Sequence, residues 1–184
     1  HWLAGTRLDT LPPEFLPGTH AEAYRVQACL EAHTSQPLHG WKIAATSTAG
    51  QKHIGVDGPL AGRLLAERRI EDGGVCPLGN NLMKVAEMEF AFRMARDLPP
   101  RGADYSQSEV LDAVASLHPA IEIPDSRYEH FESVGLPSLI ADNACAHRFV
   151  IGGAAENWRG LDLAAHKVRG LRNGAVAEEG QGAN

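Results

Sequence analysis

Glu87 and Glu89 stand two residues apart in a segment, 85–94, where Met88, Phe90, Phe92 and Met94 alternate with Glu87, Glu89, Ala91 and Arg93. Side chains alternate faces along a strand, so this period predicts a strand with both glutamates on one face and the apolar set on the other. On a helix, at about 100° per residue, the two glutamates would point apart. Ala120-Ile121-Glu122-Ile123 reads as a second strand, halted by Pro124, with Glu122 facing away from Ile121 and Ile123. Carboxylates crowded on neighbouring strands need a compensating positive charge. A hard cation such as Mg²⁺ or Mn²⁺ supplies it, taking oxygen ligands and leaving positions open for water or substrate. A solvated acidic strand face has the same spacing, and spacing alone does not separate the two.

Lys42 lies between Trp41 and Ile43 in a short extended stretch, 40–46. Either its stem packs while the ammonium snorkels to water, or the ammonium is held beside an anionic substrate or a developing enolate. Other chemistries are excluded by motif. The nine histidines include no HxH or HExxH spacing, and neither GxSxG nor GxxxxGK[ST] occurs. Cys29, Cys76 and Cys145 form no CxxC pair, which argues against a disulfide framework or zinc knuckle. They read as small buried hydrophobes in a reducing compartment.

The elements that must position these residues follow from local signals. Pro12, Pro13 and Pro17 make residues 1–19 an irregular, extended N-terminal arm. Thr19 and Glu22 have capping-box spacing, which predicts a helix over 20–33. Glycines and prolines make 55–79 mostly loop, with one helical turn over 64–68. Ser106 and Glu109 form a second capping box, followed by a stripe of Val110, Leu111, Val114 and Leu117 that predicts a helix ended by Pro119. A short helix over 138–143, a strand over 148–151 and an Asn173-Gly174 hairpin complete the pattern. Strands and helices mix without a βαβ rhythm, so the class is α+β.

The chain has 184 residues, 43% of them apolar and 22% charged, with 17 Lys+Arg against 23 Asp+Glu for a formal charge of −6. No basic stripe exists to follow a phosphate backbone, so no nucleic-acid partner is expected. No apolar run is long enough to span a bilayer, and no signal peptide is visible, so no membrane partner and a cytoplasmic location are expected.

In order, Gly40-Trp41-Lys42-Ile43, Gly55-Val56-Asp57-Gly58-Pro59, Glu87-x-Glu89, Pro119-Ala120-Ile121-Glu122 and Ala141-Asp142-Asn143 resemble one family. It is the 2-keto-4-pentenoate hydratase and 4-oxalocrotonate decarboxylase group of the fumarylacetoacetate hydrolase superfamily. The resemblance runs from about residue 20 to the C-terminus and covers Val150-Ile151-Gly152-Gly153 and Gly160-Leu161-Asp162-Leu163. It implies a mixed, partly open β-barrel or roll with flanking helices, lacking its C-terminal strands, in a single domain over 20–184. It implies Glu87, Glu89 and Glu122 as ligands of Mg²⁺ or Mn²⁺, Lys42 as the active-site lysine, and Cys145 as a substrate contact. Leu60 stands where the family carries an acid, which leaves Asp57 as the nearby candidate for proton transfer.

The activity so implied is hydration of a 2-hydroxy-2,4-dienoate to a 4-hydroxy-2-oxo acid, in meta-cleavage degradation of aromatic compounds. Decarboxylation on the same dienolate frame is the alternative within enzymes. A non-catalytic subunit supporting an active homologue is the alternative outside them, and a metal-free domain with an acidic strand face is the fallback. The expected partners are the small 2-oxo or 2-hydroxydienoic acid, further copies of the chain, and a homologous decarboxylase or hydratase.

Overall fold

In the computed structural model, which describes residues 4–182, the first helix begins where its cap predicts. The Thr19 hydroxyl accepts from the Glu22 N–H at 3.2 Å, and the Glu22 carboxylate accepts from the Thr19 N–H at 3.1 Å. Helix α1, His20–Ala28, tightens into a 3₁₀ turn, Cys29–His33, so the expected span holds with a change of pitch. The preceding arm is anchored as well as extended. Leu8 bridges Tyr128 in parallel, Arg7 pairs with Asp125 at 3.0 Å, and Pro13–Phe15 form a 3₁₀ turn.

Strand β1, Leu38–Ala44, carries Lys42 and is followed by helix α2, Thr48–Ile54. Ser47 caps α2, and Gly55 ends it in the left-handed conformation that favours glycine. Strand β2, Leu60–Leu65, then pairs antiparallel with β1, placing Lys42 opposite Gly62. This corrects the reading of 55–79 as mostly loop. The strand owes its existence to β1, a partner that local glycine and proline spacing does not reveal. The expected helical turn is a 3₁₀ turn over Ala66–Arg68, leading into the short strand β3, Arg69–Ile70.

Strand β4, Glu87–Met94, occupies the segment that the period-two pattern predicts. Helix α3, Gln107–Asp112, starts at its Ser106 capping box but is only six residues long. Strand β5, Val114–Ile123, takes over, so Val114 and Leu117 lie on a strand and not on the expected helical stripe. They pack with Trp158 in a buried cluster, and that tertiary contact overrides the local helical spacing. Pro119 sits inside β5, where its carbonyl accepts the Gly152 N–H at 2.9 Å, while Pro124 follows the strand as expected.

Helix α4, Leu136–Ala141, leads through a 3₁₀ turn, Asn143–Cys145, to strand β6, Arg148–Ile151. Strands β7, Lys167–Arg172, and β8, Ala175–Gln181, form the expected hairpin, with φ of 53° at Asn173 and 80° at Gly174. The strands form three sheets, ordered β1-β2, β3-β6-β5-β4 and β7-β8, and among the described residues none closes into a barrel. The mixed class stands.

The chain divides into two compact units. The first comprises residues through Glu87 together with Glu122–Phe149, around a core that includes Ala23, Leu60, Leu139, Ile140 and Cys145. The second comprises Met88–Ile121 and residues 150–182, around Val114, Leu117 and Trp158. Among the described residues no helix is long and apolar enough to cross a membrane.

Candidate metal centre

On β1 the usual arrangement of a half-buried strand is inverted. Trp41 and Ile43 are about half exposed, whereas the Lys42 side chain between them is 10% exposed. Near the end of β5, Ile121 is likewise exposed and Glu122 buried at 3%, but Ile123 is buried too, so the expected sharing of one face by the two isoleucines does not hold. Both strands therefore turn an ionisable residue inward, and the two meet. Lys42 Nζ lies 3.0 Å from Glu122 Oε2 and 3.5 Å from Glu87 Oε2. The snorkelling reading of Lys42 does not hold, because its ammonium is paired and enclosed. Burial works against that charge, but Glu122 and Glu87 together outweigh it and keep the Lys42 pKa above its ordinary value.

Glu87, half-buried at the start of β4, offers a carboxylate oxygen within 4.8 Å of one on Glu122. Along its own strand it offers one within 4.8 Å of Glu89, which is exposed. A hard cation takes oxygen ligands in this way, and no softer donor stands in the set.

Cys145 belongs to the same unit as Lys42 and Glu122 and feels the charge of both. Burial, reinforced by Asp142, pushes its thiol up to about 12, so it is a neutral group at physiological pH and not a thiolate nucleophile. The expectation of three buried cysteines is met at Cys145 alone, since Cys29 is exposed and Cys76 is half-buried. Asp57 is exposed in the loop between α2 and β2 and lies outside the Lys42–Glu87–Glu122 cluster. Leu60, three residues on, is 5% exposed and packs in the first core, where an acid would be desolvated.

Sequence reasoning named Asp142 and Asn143 within a motif but gave them no structural part. Asp142 is buried and accepts from the Ser126 hydroxyl at 2.6 Å, the Arg127 N–H at 3.0 Å and the Arg127 guanidinium. Burial pushes its pKa up, and Arg127 opposes the rise. Asn143, Ala144 and Cys145 then all have left-handed backbones, with φ of 62°, 49° and 60°. The Asp-Asn pair after an apolar helix was the visible signal, since asparagine tolerates positive φ.

No family model matches the chain. It is 36% identical over 169 residues to a 4-oxalocrotonate decarboxylase of Pseudomonas sp. (strain CF600), covering 90% of this chain and 62% of that protein. It is 33% identical over 178 residues to a 2-keto-4-pentenoate hydratase of Burkholderia vietnamiensis (strain G4 / LMG 22486), covering 95% and 65%. The chain thus spans less than two thirds of the length of these curated relatives. The solved 4-oxalocrotonate decarboxylase from Pseudomonas putida G7, complexed with magnesium and adipate, superposes with a TM-score of 0.84 at 30% identity, covering 98% of this chain and 69% of that one. A second structure of that enzyme, complexed with calcium and acetate, gives a TM-score of 0.81. Identity at this level along nearly the whole chain, with a shared fold and the ordered motifs, places this protein in the 2-keto-4-pentenoate hydratase and 4-oxalocrotonate decarboxylase family.

Proposed function

We propose that the chain forms the cation-binding part of a lyase that hydrates a 2-hydroxy-2,4-dienoate to a 4-hydroxy-2-oxo acid, as in meta-cleavage degradation of aromatic compounds. The observation that carries this reading is the buried Lys42 ammonium, 3.0 Å from Glu122 and 3.5 Å from Glu87. Glu87, Glu89 and Glu122 would hold Mg²⁺ or Mn²⁺. One ammonium among three carboxylates leaves a formal charge of −2, the charge a divalent cation neutralises. When bound, the cation would supply Lewis-acid polarisation of a 2-oxo acid.

The chain's own residues do the rest. Lys42 keeps a fixed positive charge beside the oxygen on which negative charge develops, in a site dry enough for that charge to count. Cys145 presents a neutral S–H, a weak donor to the substrate carboxylate. Asp57 is the proton carrier of this reading. The fold that supports the reading is the partly open roll of the fumarylacetoacetate hydrolase superfamily.

Decarboxylation is the second reading, and a specific observation favours it. The solved enzyme that superposes on the chain is a decarboxylase, and one of its two structures is complexed with adipate, a six-carbon diacid. A 2-oxo-3-enedioate losing CO₂ through the dienolate needs the same lysine and carboxylates. The deciding experiment supplies the purified chain and Mg²⁺ with 2-hydroxypenta-2,4-dienoate or 2-oxo-3-hexenedioate and follows loss of ultraviolet absorbance. Turnover of the dienoate supports hydration, and turnover of the diacid alone supports decarboxylation. No turnover of either, together with no Mg²⁺ binding in the presence of oxalate, overturns both.

A further inference from the structure

The Asn143 amide grips the backbone of Arg63 from both sides. Its Oδ1 accepts the Arg63 N–H at 2.6 Å, while its Nδ2 donates to the Arg63 carbonyl at 2.9 Å and the Ala146 carbonyl at 3.1 Å. The side chain thus does for β2 what a neighbouring strand would do, and at 0% exposure no water can take its place. Beside it, Gly62 allows a close approach that another residue would not. A Cβ there would overlap the Asn143 carbonyl oxygen and stand 2.8 Å from Ala146 Cβ. Gly62 is also the cross-strand partner of Lys42. On its other side the same turn is fastened to the segment just past Glu122, where the Asp125 N–H donates to the Cys145 carbonyl at 3.0 Å. The left-handed backbone at Ala144 and Cys145 is costly and persists because these contacts over-determine it.

We infer that Asn143 is a positioning residue: through its grip on Arg63 it sets how far the β1-β2 pair, and Lys42 with it, stands from Glu122. The functional weight of this inference rests on the proposed role of Lys42, but its structural content does not. A merely structural asparagine would add stability without controlling the enclosure of Lys42.

Asn143→Gly tests it, because glycine keeps the left-handed backbone while removing the grip. Gly62→Ala pushes on the same contact from the β2 side and serves if Asn143→Gly does not fold. The first readout is acylation of Lys42 by N-hydroxysuccinimide acetate in the intact chain, mapped by mass spectrometry against exposed Lys52 and Lys167. Either variant is expected to acylate Lys42 about tenfold faster through local opening, at a rate that does not track added urea, with both reference lysines unchanged. The second readout is Mg²⁺ affinity in the presence of oxalate, expected to weaken about tenfold as for loss of an outer-shell support. Lys42 remaining as protected as in the parent, in a folded variant, overturns the inference. If the parent binds no Mg²⁺ but Asn143→Gly still unmasks Lys42, the positioning role stands and the metal reading falls.

Discussion

Lys42 and Glu122 come from strands in different sheets and meet at 3.0 Å with side chains 10% and 4% exposed. A pair so enclosed is costly to break from one side, because the survivor keeps its desolvation cost and loses its compensation. Glu122→Gln is therefore expected to destabilise the protein toward the lower end of about 3–5 kcal/mol, since Glu87 still stands 3.5 Å from the ammonium. Lys42→Met in the same chain should recover part of that loss. Urea unfolding of the two single variants and the double variant measures the coupling.

Glu89 provides a cleaner test of the metal reading, because it is exposed and its removal costs little fold. Glu89→Gln should melt within a few degrees of the parent, as surface changes usually do. It should weaken Mg²⁺ and Mn²⁺ binding by more than the about 10–100-fold typical of an outer-shell loss. Calorimetry in the presence of oxalate reads both ions. Chelation should abolish turnover in the parent, and added Mn²⁺ should restore it.

His147 predicts a pH dependence of stability. Burial, and behind it Arg68, pushes its imidazole from 6.5 down to about 4. The unfolded chain then binds a proton that the folded chain refuses, so stability is full above 6.5 and falls as pH drops through 4. His147→Gln should flatten that stretch of the curve. A separate loss sets in below 4.5, the ordinary glutamate value, and is complete once pH falls through about 2, where Glu109 is held chiefly by its hydrogen bond to Arg101. Arg101→Gln should shrink that second loss, by returning the Glu109 carboxyl toward its ordinary value, and leave the first unchanged. Denaturant midpoints between pH 2 and 8 check both.

Gly174 sits at φ 80° in the β7-β8 hairpin. Gly174→Ala places a Cβ in left-handed backbone at a cost of about 1–2 kcal/mol. The loss should show as faster amide exchange confined to Lys167–Arg172 and Ala175–Gln181.

What could be read from the sequence was what short-range chemistry decides. The alternation around Glu87 and Glu89, the capping boxes at Thr19 and Ser106, and the Asn173-Gly174 turn each depend on residues within a few positions of one another. The readings that needed correction depend on distant partners. Leu60–Leu65 is a strand because β1 lies beside it and Asn143 grips its edge. Val114 and Leu117 leave the helical stripe because Trp158 packs on them from more than 40 positions away. At the site, residue types were legible, but which way each strand faces was not. On β1 and at Ile121-Glu122 of β5, the apolar residue faces outward and the charged one inward, and only the ion pair between the strands makes that arrangement affordable.

That inversion makes the register of β1 a choice between comfort and competence. Sliding the strand by one position would carry Trp41 and Ile43 inward and expel Lys42, because a slip of one exchanges the two faces. Judged by apolar burial alone, the slipped pairing is the better one. What opposes it is polar: Lys42 on its two glutamates and the Arg63 guanidinium 4.7 Å over the Trp41 ring. Selection for thermal robustness without selection for turnover would therefore relax first at β1, and a hardened descendant could keep its sheet while discarding its lysine.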